Sequence, residues 1–468
     1  MNLFQDLTSF LLITFLLFST SKCNTVTFRL HKKVPDFQQK LQFLTDAHMD
    51  NHLENKSNLT LFEFKLANFN NSQYVGEIYI GSNQQKLDVI FDTGSHFLVV
   101  PEPSLEWQFS HTFNCNLSKT CEPFEDQSAY LKYGSGSVYG YVADDQVSFG
   151  NNLKPTKTSF VIATEINKFP NEFHADGVLG LRKIKDLDNY FVYPNAETIA
   201  VKNYSIIDNM KAEGKIEKRQ FSFFLGNDNS GELGVYEAEF TVGGYNKKYI
   251  HGNFSYFNVI HGNYWGIQTN GINVDGVNLR FSEKGIMAVI DSGTSLITLP
   301  KEVFSSIIPV IKEKTGCEEI RRFMCLCSDG PCNFDPEDFP TITFEFNGFK
   351  AVLPGKSYVI NIEGYNVLEI IGLDMTEKFI ILGDPFMRQY VTIFDEEEEK
   401  IGLAKSVYYI EPKSYIGKKL KLLFLFVIVV VSLILGICFW KQSKKKDEEN
   451  IRLLKHTEGE ISMTVLKS

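Results

Sequence analysis

The chain has 468 residues, 43% of them hydrophobic and 22% charged, with a formal net charge of −10. That length exceeds one small domain and suits two with appendages, and the acidic balance excludes a nucleic-acid partner, because nothing would neutralise phosphates. Forty Phe beside abundant Val, Ile and Tyr favour strands over helices.

The first element is the apolar run Leu11–Phe18, too short to span a bilayer and followed by Ser19, Thr20 and Ser21. It reads as a signal peptide, residues 1–23, cleaved near Ser21 to Cys23. After it, "YVGEIYIG" and "KLDVIFD" alternate or run apolar around a "GSNQQ" turn, which predicts a strand pair. The second strand leads into "VIFDTGSHFLVVP", Val89–Pro101, where Asp92 sits among buried-type residues. An ionised carboxylate there costs several kcal/mol unless something holds it. Cys115 and Cys121 close a short loop, and "YGSGSVYG", Tyr133–Gly140, reads as a mobile Gly/Ser-rich hairpin. Next come "DGVLGL" with Gly180, the strand "FSFFLG", and a second aspartate turn, "AVIDSGTSLITLP", Ala288–Pro300, around Asp291. A helix is predicted at Glu302–Lys314 despite Pro309. Cys317, Cys325, Cys327 and Cys332 follow and permit three pairings. Their spacing lacks the two-pair pattern of a zinc site, so no metal is expected. "TITFEFNG", "IILGDPF" with Gly383, and "YVTIFDEEEEKIGLA", a hairpin with an acidic tip, complete the folded part.

Leu422–Trp440 then gives 19 uncharged residues, about 28 Å as a helix, enough to cross a membrane. Lys441 and Lys444–Lys446 suit a cytosolic exit, although Lys418, Lys419 and Lys421 precede the span; the signal peptide sets the orientation, ectodomain outside. The ectodomain keeps an even six cysteines, as an oxidising compartment allows. Sequons at Asn55, Asn58, Asn70, Asn116, Asn203 and Asn253 make glycosylation candidates. In the tail, "ENIRLL" offers Glu449, Leu453 and Leu454 in the spacing of an acidic dileucine signal for a sorting adaptor.

The two aspartate turns are an internal repeat. Each runs apolar stretch, Asp, hydroxyl, Gly, hydroxyl, apolar stretch, Pro, and each is followed by aliphatics and a glycine: Asp92 to Gly180 is 88 residues, Asp291 to Gly383 is 92. Order repeated at near-equal spacing indicates two related lobes. If they face each other, Asp92 and Asp291 meet, and two carboxylates about 3 Å apart share one proton. The ionised one can take a proton from water while the other donates to a peptide carbonyl. Gly94 and Gly293 would allow close backbone approach. Ser95 and Thr294 are placed to hydrogen-bond their own lobe's carboxylate, and Thr93 and Ser292 to bond across the junction.

These motifs resemble the pepsin-like aspartic proteases over roughly Leu66–Ala404. The resemblance implies a mostly β, bilobal fold with the active site between two related lobes, and a C-terminal transmembrane helix is added here. It implies an aspartic endopeptidase with Asp92 and Asp291 as catalytic pair. Tyr133 carries over as the flap tyrosine, with Gly134 and Ser135 beside it, and Cys115–Cys121 as a short disulfide loop. "VTFRLHKKVPDFQQKLQFL", Val26–Leu44, resembles the basic inhibitory segment of a zymogen, a cationic strand across an acidic cleft released on acidification. Where the family has a serine and, three residues on, a tryptophan that holds the flap tyrosine, this chain has His96 and Val99.

The organisation expected is signal peptide 1–23, prosegment 24–64, N-terminal lobe 65–240, C-terminal lobe 241–410, stalk 411–421, membrane helix 422–440 and cytosolic tail 441–468. The protein is expected to be a monomer without cofactor, acting on polypeptides. As a single-pass type I protein of the secretory pathway, it is placed in an endosomal, lysosomal or vacuolar membrane ahead of the Golgi or cell surface. The competing reading is a catalytically silent binding glycoprotein on the same fold. An adhesion glycoprotein would not need two hydroxyl-supported carboxylates.

Overall fold

The computed structural model describes residues 25–33, 73–106, 109–133, 136–149, 154–167, 175–182, 203–226, 238–260, 264–280, 285–321, 323–327, 330–332, 334–362, 364–375, 378–412 and 415–465. The chain divides into two compact units, Met1–Glu411 and Pro412–Ser468.

The first unit is mostly β, and its repeat is visible strand by strand. In the N-terminal half, Gln85–Asp92 runs parallel to Gly177–Gly180, with Asp92 opposite Gly180. Leu98–Pro101 packs antiparallel on the other side of Gly177–Gly180 and parallel to Thr156–Asn167. In the C-terminal half, Ile286–Ile290 runs parallel to Phe379–Leu382. Ile297–Pro300 lies antiparallel to Phe379–Leu382 and parallel to Ile370–Leu373. Each aspartate thus stands where one strand ends and the chain crosses over a neighbouring strand. Fully apolar strands such as Leu98–Pro101 and Phe379–Leu382 read as buried runs because both their faces are covered.

The paired glycines have a steric cause. A methyl group at Gly180 would run into the backbone of His96 and Phe97, and one at Gly383 into the carbonyls of Thr294 and Leu296. Each glycine lets its strand pass under the aspartate turn of the same lobe.

A 13-stranded sheet carries strands of both halves. Its middle packs Phe91, Phe221, Phe223, Phe240 and Phe394 ring against ring, with Trp265 edge-on to Phe221 and Phe394. Five of the forty phenylalanines form this aromatic layer, which joins the halves through a shared core. Val26–Lys33 belongs to the same sheet, between Gln73–Ile80 and Ala238–Val242. The described part of the basic segment is therefore a sheet strand; residues 34–64 lie outside the described ones.

The predicted helix spans Lys301–Thr315, burying Phe304, Ile307 and Ile311 and ending on left-handed Gly316. Two shorter helices were not anticipated: Ile206–Ala212, capped by the Ser205 hydroxyl, and Asp384–Gln389 directly after Gly383. The acidic hairpin forms as read, Tyr390–Asp395 pairing with Lys400–Ser406. Disulfides join Cys115 to Cys121, Cys317 to Cys325 and Cys327 to Cys332. The sulfurs of Cys317, Cys325 and Cys332 lie within 4.8 Å of one another, but in disulfides they are not thiolate ligands.

The second unit contains one helix, Tyr415–Val465, which includes a segment long and apolar enough to cross a membrane. Its side chains from Phe424 to Trp440 are exposed. The helix outruns the expected span, taking in most of the expected stalk and tail, because the Lys, Glu, Leu and Ile around the span are good or fair helix formers.

Candidate active site

Asp92 and Asp291 stand against each other at the junction of the two halves. A methyl group on Gly94 would lie 2.8 Å from both carboxylate oxygens of Asp291, and one on Gly293 would strike the Asp92 carboxylate. Only glycine fits at either place. The turns are tied by reciprocal bonds: Thr93 N–H donates to Ser292 Oγ at 3.1 Å, and Ser292 N–H to Thr93 Oγ1 at 3.0 Å. The same hydroxyls donate onward, Thr93 Oγ1 to the Ile290 carbonyl at 3.0 Å and Ser292 Oγ to the Phe91 carbonyl at 2.7 Å. Thr93 and Ser292 are both buried, so these bonds are shielded from water and hold the turns at fixed distance.

Each aspartate accepts a bond from the glycine two residues on: Gly94 N–H to Asp92 Oδ1 at 2.8 Å, Gly293 N–H to Asp291 Oδ1 at 2.9 Å. The supporting hydroxyls differ. Thr294 Oγ1 donates to Asp291 Oδ2 at 2.7 Å. Ser95 is near enough to favour a charged Asp92, yet its buried hydroxyl lies outside ordinary hydrogen-bond geometry. The turns close differently: Thr294 N–H reaches back to the Asp291 carbonyl at 3.4 Å, whereas the Asp92 carbonyl is taken by Leu181 N–H at 2.8 Å. Burial raises the Asp92 carboxyl, and the Asp291 charge beside it raises it further, up to about 7.

A model of the eukaryotic aspartyl protease family matches residues 73–406. The chain belongs to that family. Cathepsin D of Clupea harengus is 31% identical over 371 residues, covering 73% of this chain and 83% of the relative. Pepsin A of Sus scrofa is 30% identical over 346 residues, covering 72% and 83%. The vacuolar aspartic protease of Candida albicans is 28% identical over 415 residues, covering 86% and 89%.

Other candidate residues of this aspartyl protease family member fall as follows. Tyr133 ends the strand Glu122–Tyr133, opposite Gly136 on the returning strand; Gly134 and Ser135 lie outside the described residues. The ring packs on a cluster containing Phe97, Val99, Leu131 and Val138. Burial raises its hydroxyl, and the charge of Asp92 adds to this. Val99 is buried in that same cluster, against which the Tyr133 ring packs. His96 is buried too, its Nδ1 3.5 Å from the Arg182 carbonyl; burial, then the Arg182 charge, lowers it well below the ordinary histidine value. Asn116, Asn203, Asn253 and Glu449 are exposed, while Asn55, Asn58, Asn70 and the side chains of Leu453 and Leu454 lie outside the described ones.

Three residues at the site carried no signal in sequence: Arg182, Tyr264 and Trp265. Trp265 Nε1 donates to the Leu181 carbonyl at 3.1 Å, and the Arg182 guanidinium lies 3.7 Å over the Tyr264 ring. They extend the seam between the halves beyond the two aspartate turns.

Proposed function

We propose that this chain is an aspartic endopeptidase that hydrolyses polypeptides with water activated by Asp92 and Asp291. The observation that carries this is the pair of turns bonded to each other through Thr93 and Ser292, with both carboxylates packed on the opposite glycine. Such a pair holds one proton between two acids. One carboxylate accepts a proton as water attacks the peptide carbonyl, and the other donates to the carbonyl oxygen. Neither step forms a covalent enzyme intermediate. The silent-binding alternative finds no support in either turn, since both keep their carboxylate and its glycine donor.

The test is hydrolysis of a peptide library by the purified full-length protein across a pH series. Asp92→Ala and Asp291→Ala should each reduce turnover by about 10²–10⁴-fold, the range for loss of a general acid or base. A bell-shaped profile with its optimum below neutrality is expected. Either variant retaining a tenth of wild-type turnover, with contamination excluded, defeats the assignment.

The same reading includes a zymogen anchored in an acidic compartment. Support comes from Val26–Lys33 occupying the shared sheet, the apolar helix, and relatives named cathepsin D and vacuolar aspartic protease. Lys444–Lys446 would lie against the anionic cytosolic leaflet and keep Glu449, Leu453 and Leu454 near it for an adaptor. Leu453→Ala with Leu454→Ala should shift the protein to the plasma membrane by surface biotinylation. An unchanged distribution removes the dileucine from the account and restores Golgi or cell-surface residence to equal standing.

A further inference from the structure

Arg182 follows the glycine strand Gly177–Gly180 by two residues and is buried. Taking a guanidinium out of water costs several kcal/mol, and a packed apolar side chain at such a place is often neutral or stabilising. Stability alone therefore does not account for an arginine here. Its contacts suggest another role. Arg182 Nη1 donates to the Gly94 carbonyl at 3.3 Å, and Arg182 N–H donates to the Ser95 carbonyl at 2.9 Å. These are consecutive carbonyls, directly after the Gly94 N–H that bonds Asp92. Gly94 also packs on the Asp291 carboxylate, so a rotation of its peptide disturbs both acids.

The other end of the contact reaches the C-terminal half. The guanidinium carbon stands 3.7 Å above the centre of the Tyr264 ring, within cation–π range. Tyr264 packs with Val289, Phe379 and Ile381, on the strands that lead to Asp291 and Gly383. The next residue, Trp265, accepts from Ile290 N–H at 2.9 Å through its carbonyl, one residue before Asp291. One side chain therefore links the backbone turn that carries Asp92 to the ring beside the strand that carries Asp291.

We propose that Arg182 is a positioning residue for the aspartate pair, a clamp across the two halves completed by the Tyr264 ring. The proposal rests on the endopeptidase reading. It touches no substrate; it sets the distance and tilt of the first turn against the second. Removing it loosens geometry that matters in the transition state more than in substrate binding, and this appears in kcat rather than KM.

The test uses the full-length protein in detergent, with Arg182→Met, Tyr264→Leu, the double variant and Tyr264→Phe. Arg182→Met and Tyr264→Leu should each lower kcat about tenfold while KM stays within about twofold, as for a contact that acts mainly in the transition state. The double variant should be no slower than the worse single, because both remove one device. Tyr264→Phe keeps the ring and should recover most of the rate that Tyr264→Leu loses. If Arg182→Met does not fold, Tyr264→Leu against Tyr264→Phe decides. Unchanged kcat, a loss confined to KM or to the unfolding temperature, or strictly additive effects overturn the clamp. Wild-type hydrolysis that vanishes in Asp291→Ala, with Arg182→Met at full kcat, overturns the clamp alone; a wild type with no such hydrolysis overturns both readings.

Discussion

The Asp92 turn and the Asp291 turn have nearly the same sequence and the same strand surroundings, yet they treat their carboxylates differently. Asp291 accepts from a backbone N–H and from the Thr294 hydroxyl, and it is only 7% exposed. Asp92 accepts from its backbone N–H, while Ser95 lies outside hydrogen-bond geometry. Donors favour the charged form of an acid. Under the endopeptidase proposal, the proton shared by the pair would belong mainly with Asp92, whose carboxyl is raised by burial and by its neighbour. A repeat in sequence supplies two similar scaffolds, and one hydroxyl contact, Thr294 to Asp291, then distinguishes them.

That difference can be broken directly. Thr294→Val removes a hydrogen bond to a charged group, worth about 1.5–3 kcal/mol, so kcat/KM should fall roughly tenfold to a hundredfold. Ser95→Ala removes no such bond and should cost less than about threefold. Kinetics on a single peptide substrate at the wild-type optimum check both. Equal losses, or a larger loss for Ser95→Ala, would show that the first turn uses its hydroxyl as the second does.

How far the sequence disclosed this arrangement depends on what each feature needs. The aspartate turns were legible because a carboxylate inside an apolar run is expensive, and the run occurs twice with a glycine at matching distance. The strands were legible from alternation and from unbroken aliphatic stretches. Asp384–Gln389 was not: six residues are too few to show helical periodicity. The cysteine pairing was open because spacing alone allows three solutions, and strand contacts in space select Cys317–Cys325 and Cys327–Cys332. Arg182 was hidden for a different reason. After Gly180 come Leu181 and Arg182, but after Gly383 come Asp384 and Pro385, so the repeat stops where the clamp begins. Likewise Ser95 and Thr294 occupy matching positions, and only the way each turn closes separates their roles.

The smallest expected effect sharpens the comparison through stability instead of rate. With its carboxyl raised from 3.8 up to about 7, Asp92 stays protonated in the folded protein over a range where the unfolded chain has released that proton. Between about pH 4 and pH 7 the native state thus binds more protons, so stability falls as pH rises, by at most about 1.4 kcal/mol per pH unit from this group. Below that window both states are protonated and the contribution is constant. Asp92→Asn stays neutral throughout and should remove this slope, leaving the other titrating groups in place. The measurement is the unfolding temperature of the full-length wild type and variant at pH 4.5, 5.5 and 6.5, with intact mass checked after each scan. The variant should gain on the wild type steadily as pH rises. Asp291→Asn removes the neighbouring charge but leaves Asp92 buried, so it should keep part of the slope and gain less on the wild type than Asp92→Asn does. Parallel curves for wild type and Asp92→Asn would place the shared proton elsewhere and return the two turns to equivalence.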